Sequence, residues 1–302
     1  MTATTAEAAA GTHRSLPRRV SGFLHRHAWV RLVGLLSAPM AWLVIAYLGS
    51  LVVMLLAAFW TTNTFTGAVV HQTTTENFRI LFTESVYRKI AVRSVTVAVL
   101  VTVIDAVIAL PMAFYMAKIA SPRMRRLLVV AILTPLWASY LVKAYAWRVM
   151  FSNDGIVNWA LDPFGIRGPG YGLTATIITL AYLWLPFMVL PVYAGLERIP
   201  DSLLEASADV GARAGRTFRS IVLPLLVPAL FAGSIFTFSL SLGDYISVKI
   251  VGGTSQLASN VIYDNITTGN NLPFAAAAAF FPITVMLVYI TAVRRTGALD
   301  NL

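Results

Sequence analysis

Two carboxylates stand in apolar surroundings, Asp105 in TVIDAVIALP and Asp244 in SLGDYIS. An ionisable group in a membrane-length apolar run is costly in hydrocarbon and as a rule faces a bundle interior or a cavity, so both are candidates for contact with a translocated solute. For Asp105 the plainer role is a helix–helix hydrogen bond or a carboxyl kept neutral. Asp244 has Tyr245 beside it at the end of its run. Aromatic side chains recur at helical spacing, Trp137, Tyr140 and Trp147 in one run and Trp184 and Phe187 in another. Such a stripe serves packing or an interfacial belt as readily as a solute path.

This suite can bind and pass a solute, but it offers no covalent or metal chemistry. Cysteine is absent, and His13, His25, His27 and His71 lie outside the apolar runs. No metal cluster and no Ser/His/Asp arrangement can be assembled from neighbouring positions. The sequence also contains no G-x-x-x-x-G-K-[ST] phosphate loop. If ATP drives this protein, another chain hydrolyses it.

A second constellation runs from Glu197 to Pro224, ERIPDSLLEASADVGARAGRTFRSIVLP, the one long polar and orderly stretch between two strongly apolar segments. Pro200 stops the preceding element, Asp201 or Ser202 can cap a new helix, and Ser202 with Glu205 fits the S/T-x-x-E capping box. The spacing predicts a short helix from about Ser202 to Val210, a left-handed turn at Gly211, and a second arm carrying Arg213, Arg216 and Arg219. The product is a bent helical finger outside the bilayer. Its small residues Ala206, Ser207 and Ala208 admit a close partner surface, and its arginines suit acidic groups or lipid phosphates.

The elements that hold these residues follow from composition. Of 302 residues 58% are hydrophobic and 12% charged, with a mean hydropathy of +0.74, which marks a polytopic membrane protein. Six apolar runs reach the roughly 20 residues a spanning helix needs: Leu32 to Phe59, Ser94 to Ala117, Leu127 to Trp147, Leu173 to Leu196, Ile221 to Leu242 and Pro273 to Val293. Prolines 135, 186, 191, 224, 228 and 282 are expected to kink several of them.

The arginine-bearing residues 1–31 read as a largely unstructured tail, residues 32–293 as one membrane domain, and 294–302 as a second tail. Lys and Arg concentrate in both tails and in the loops around Arg123–Arg126 and Arg213–Arg219, so these face the cytoplasm. The formal charge of +10 is thus a topology signal in contact with lipid, and nucleic-acid binding is a poor reading of it. Between the first two runs, ENFRILF and SVYRKI read as short outer helices. Residues 153–171 hold DGIVNWAL and a Gly/Pro-rich turn.

The finger spells E-A-(A)-x3-G-x9-I-x-L-P, and this resembles the cytoplasmic EAA loop of permease subunits in bacterial binding-protein-dependent ABC importers. Glu205, Ala206, Ser207, Asp209, Gly211, Ile221, Leu223 and Pro224 are the residues to which the resemblance assigns coupling, with Ser207 where the pattern usually has its second Ala. The runs LTPLWASYLVKAYAWRVMFSNDGIVN, AYLWLPFMVLPVYAGLERIPDSLLEASADVGA and LPFAAAAAF are similar to the spermidine/putrescine permeases.

The resemblance implies an all-α, six-helix permease half of the type I importer fold in the bacterial inner membrane, both termini cytoplasmic. Its partners would be a second permease, two ATPase subunits that use the ATP and Mg, and an extracytoplasmic solute-binding protein. The chain itself would bind no cofactor. A polyamine solute would need carboxylates and aromatic faces, for which Asp105, Trp137, Tyr140, Trp184, Phe187, Asp244 and Tyr245 are the candidates. Related permeases for iron, thiamine, phosphonates or opines, and an ion-coupled carrier using Asp105 for a proton, are the alternatives.

Overall fold

A computed structural model describes residues 28–63 and 65–295. The chain divides into two compact units, Met1–Leu56 and Ala57–Leu302. In the first, α1 (Ala28–Leu43), a π-helical stretch (Val44–Leu48) and α2 (Gly49–Ala57, whose last residue opens the second unit) form one apolar rod. Its part from Leu32 to Ala57 has a mean hydropathy of 2.3 and the length of a membrane span. Of the expected N-terminal tail, residues 1–27 lie outside the described residues, as do 296–302 at the other end.

The second unit opens with a two-residue hairpin that sequence reading missed, β1 (Thr61–Thr62) against β2 (Val69–Val70), antiparallel with Thr61 opposite Val70. The helix α3 (Glu76–Thr83) matches the expected ENFRILF segment. The SVYRKI segment does not stand alone, because α4 (Ser85–Phe114) begins there after a single extended residue, Glu84. With the π-turn Tyr115–Ile119, α4 makes a span of 35 residues. At 1.5 Å per residue that is about 52 Å, longer than the roughly 30 Å of hydrocarbon.

The expected third span is not one helix. It is two, α5 (Pro122–Trp137) and α6 (Tyr140–Met150), bent by 95° at Ala138–Ser139. Pro135 weakens the last turn of α5, both linking residues are extended, and the Ser139 carbonyl accepts from Lys143 to start α6. Among the described residues there are accordingly five span-length helices and this broken pair. The short α7 (Ile156–Leu161) follows, and α8 (Leu173–Glu197) stays helical through Pro186 and Pro191.

The remaining elements are α9 (Asp201–Asp209), α10 (Ala214–Thr217), the π-turn Phe218–Val222, α11 (Leu223–Gly243), α12 (Ile246–Val251), α13 (Ala258–Thr267) and α14 (Leu272–Arg295). The π-turn ends two residues before Pro224, whose ring lacks an N–H and crowds the carbonyl one turn back, within the π-turn, so the widened turn relieves the clash.

Three helices form the core. At one level Val97 and Val101 of α4 pack with Leu180 and Ala181 of α8, and at another Ala113 and Met116 pack with Val192 and Leu196, so α4 and α8 run parallel. The antiparallel α11 brings Leu226 to the second level. Helices in lipid gain little from apolar burial against one another, so close backbone approach through small residues carries their association. Gly195 and Gly233 supply it here. A Cβ on Gly195 would lie 2.6 Å from the Ala229 Cβ, and one on Gly233 would lie 2.8 Å from the Met188 sulfur and 3.1 Å from its Cα.

Overpacking of a filled interface costs about 1–3 kcal/mol. Gly233→Leu should therefore lower the thermal-unfolding midpoint of the detergent-solubilised protein, measured beside Gly34→Leu, whose site has open space around it. Equal midpoints for the two variants would contradict the packing argument.

Candidate coupling loop and solute cavity

Pro200, extended at ψ 139°, sets the start of α9 at Asp201. The anticipated capping box does not form, because Ser202 and Glu205 both fall inside the helix and Pro200 occupies the cap position without a side-chain bond. Glu205 is left exposed, free to face outward. The end of α9 is a Schellman motif, with the Gly211 N–H on the Ala208 carbonyl (2.8 Å) and the Ala212 N–H on the Ser207 carbonyl (3.0 Å). Gly211 takes φ +76°, and a Cβ there would meet nothing within 4 Å. Glycine is required for backbone conformation, not for space within this chain.

Ser207 is buried, and its hydroxyl lies 2.8 Å from that of Thr217 on the second arm. Alanine could not make this tie. The two arms enclose a hollow of about 360 Å³ lined by Ser207, Gly211, Arg216, Thr217 and Ile221. Ala206, Asp209 and Pro224 are exposed, and Ile221 and Leu223 half-buried.

Two cations tie the finger to the helix ends. Lys118 Nζ donates to the Ile199 carbonyl (2.6 Å) and to Asp201 (2.7 Å). Arg125 donates to the carbonyls of Met116 (3.0 Å) and Ala117 (2.9 Å), which the end of α4's π-turn leaves unpaired, and to Glu197 (3.3 Å). Tyr193 donates to the same Glu197 oxygen at 2.5 Å. The finger thus starts from a fixed point on α4, α5 and α8.

At the opposite end of α11, Tyr140, Trp184, Ser239, Leu240, Gly243, Asp244, Tyr245 and Ile246 line a cavity of about 300 Å³. Tyr140 and Trp184 stack with ring centres 5.9 Å apart, and Phe187 extends the aromatic wall 6.0 Å from Trp184. Asp244 is buried. Tyr140 donates to its carboxylate, as do the Ser247 N–H (2.8 Å) and the Ser247 hydroxyl (3.3 Å). The Ser259 hydroxyl donates to the Asp244 carbonyl at 2.6 Å, and Asn260 to the Tyr245 carbonyl at 3.0 Å.

Four of the expected solute-path residues, Tyr140, Trp184, Asp244 and Tyr245, therefore share one cavity, with Phe187 adjoining. Trp137 does not join them. The 95° break separates it from Tyr140's helix and leaves it 92% exposed, so the stripe read through both is not continuous. Trp147 packs on Phe151 and Tyr182. Asp105 lies fully buried on α4 and is not part of this lining, and among the described residues neither of its oxygens has a hydrogen-bond partner. Trp184 Nε1, Thr179 Oγ1 and Ser241 Oγ on the packed helices α8 and α11 are likewise unpartnered. The sequence reading missed Ser247, Ser259 and Asn260, small polar residues whose role appears only once α12 and α13 fold back onto the end of α11.

Residues 92–296 match the family described as "Binding-protein-dependent transport system inner membrane component", more than half of the chain. The chain is 42% identical over 299 residues to the inner membrane ABC transporter permease protein YdcU of Escherichia coli (strain K12), covering 94% of this chain and 95% of the relative. It is 32% identical over 233 residues to the spermidine/putrescine transport system permease protein PotB of Haemophilus influenzae (strain ATCC 51907 / DSM 11121 / KW20 / Rd), covering 76% and 81%. Among solved structures, a chain of the bacterial alginate ABC transporter in complex with alginate pentasaccharide-bound periplasmic protein shares the fold, at TM-score 0.69 and 17% identity over 91% of this chain and 96% of that one. With its span-length helices, its finger that turns at Gly211 and these matches, the chain belongs to the binding-protein-dependent transport system inner membrane components, as a permease subunit of an ABC importer.

Proposed function

We propose that this subunit forms half of a translocation pathway for a polyamine and couples it to a separate ATPase through residues 197–224. The observation that carries the solute assignment is the cavity in which a carboxylate, Asp244, sits among the faces of Tyr140, Trp184 and Tyr245. A flexible polycation needs that combination, each cation–π contact contributing about 0.5–2 kcal/mol. Two spermidine/putrescine permeases at 32% and 29% identity support the same class.

In this reading the chain pairs with a second permease, two ATPase subunits and an extracytoplasmic solute-binding protein. It binds no cofactor itself, and ATP and Mg belong to the ATPase. The positive-inside distribution puts both termini and the finger in the cytoplasm. Glu205, Ala206, Asp209 and Gly211 form the outward face of the finger, and Ser207, Ile221, Leu223 and Pro224 set its shape. Closure of the ATPases draws the finger with it, and because Lys118 and Arg125 pin its root, the displacement passes to the helices as a rigid-body movement.

Glu205→Lys, or Gly211→Pro, is expected to leave ATP hydrolysis by the reconstituted importer intact while abolishing uptake; normal uptake in both would remove the coupling role. Loss of one aromatic face should weaken solute interaction. Trp184→Ala is expected to raise the KM for spermidine about 2- to 30-fold, the equivalent of one cation–π contact at 1.4 kcal/mol per decade. An unchanged KM for spermidine in vesicles would mean that the solute bypasses this cavity.

A further inference from the structure

Beyond the far wall of the cavity lies a second group of the same chemistry. Tyr245, which lines the cavity, stacks on Tyr263 of α13 with ring centres 4.5 Å apart and planes within 19°. Each tyrosine has an aspartate next to it in sequence, Asp244 before Tyr245 and Asp264 after Tyr263. Asp244 is held by hydroxyls and an N–H. Asp264 is held by a cation, since Lys249 of α12 brings its ammonium to 2.5 Å from the carboxylate and 4.2 Å from the centre of the Tyr263 ring. Lys249 and Asp264 are both more than a third exposed, at 39% and 34% of their side-chain surface. A primary ammonium from solution can therefore reach the same ring and the same carboxylate.

Resting on the polyamine reading, we infer that Tyr263 and Asp264 form an outer ammonium site, filled in this structure by the chain's own Lys249, which the solute's leading ammonium displaces on its way to the Tyr140–Trp184–Asp244 cavity. Lys249 is itself a primary alkylammonium, so its geometry reports what this site accepts: one carboxylate contact and one aromatic face. The exchange conserves charge, because one ammonium leaves the site as another enters it. The shared Tyr245–Tyr263 stack makes the two sites neighbours across one pair of rings. A diamine leaving the outer site meets the second tyrosine face and then Asp244. Lys249 thus acts as a built-in competitor that keeps Asp264 paired when no solute is present and sets a threshold for solutes that carry only one charge.

The test uses the complete importer in vesicles with its binding protein, and radiolabelled 1,4-diaminobutane as the probe. Lys249→Met removes the competitor and is expected to lower KM about 3- to 10-fold, the sum of one exposed ion pair and one cation–π contact. Asp264→Asn removes the site and is expected to raise KM. Lys249→Arg should resemble the parent, and the double variant should lose the gain of Lys249→Met. A merely structural tie between α12 and α13 predicts the opposite pattern, with Lys249→Met and Asp264→Asn moving KM in the same direction, and that result, or no movement in either, overturns the inference. A transport-independent measurement separates this from the solute assignment. After isotopic reductive methylation of lysines, the NMR signal lost in Lys249→Arg should shift when 1,4-diaminobutane is added. A signal that stays fixed at saturating diamine overturns the outer site, whereas a shifting signal without uptake overturns the polyamine reading and leaves the site standing.

Discussion

The contact on which the structure depends is the close approach of α8 and α11 at Gly195 and Gly233. In lipid, apolar side chains gain nothing from leaving water, so the helices stay together only where backbones come near enough for dense packing. With Ala229 and Met188 seated directly over the glycines, the two helices cannot slide without a clash, and α4 completes the triangle. The finger hangs from one end of this triangle and the aromatic cavity opens at the other. Their separation is therefore set by the packed, rigid helices between them.

That rigidity would be lost if the helix ends were loose. The last carbonyls of a helix have no partner within it, and at the loop end those of Met116, Ala117 and Ile199 are taken up by Arg125 and Lys118. The same two cations reach Glu197 and Asp201, which bracket the turn between α8 and α9. Exposed ion pairs of this kind stabilise little by themselves. Their value here is directional: each cation joins a carbonyl that ends one element to a carboxylate that begins or ends another. Ser207 extends the logic into the finger, where its bond to Thr217 holds the two arms at a set angle.

Much of this was legible in the sequence, because a chain in lipid must satisfy its backbone within helices, and hydropathy then locates them. Gly211 was legible for a related reason, since only one conformation lets the chain leave α9 with its carbonyls paired. Hydropathy records composition, however, and not direction, so Leu127–Trp147 read as one span although its chain turns by 95° at Ala138–Ser139. Trp137 was misplaced by the same error, because helical spacing carries no information across a break. The Ser202–Glu205 pattern failed differently: Pro200 takes the cap position two residues earlier, and a capping box cannot form inside a helix. The polar ring around Asp244 was beyond reach, as it joins residues from α6, α12 and α13 that only folding brings together.

The two buried carboxylates, Asp105 and Asp244, differ in what surrounds them. Asp244 accepts from Tyr140, the Ser247 N–H and the Ser247 hydroxyl, so its carboxylate is shared among donors of the chain itself. In the proposed pathway a cation meets aromatic faces and a carboxylate already shared among donors, not a bare one. A pathway needs binding strong enough to admit its solute and weak enough to release it. In the proposed pathway a carboxylate shared among donors meets both demands, because the same donors that orient it also limit its pull on a cation. Asp105, buried on α4, has no such donor among the described residues. The three carboxylates thus differ in what meets them: Asp264 is paired with Lys249, Asp244 is shared among hydroxyl and N–H donors, and Asp105 has no partner among the described residues.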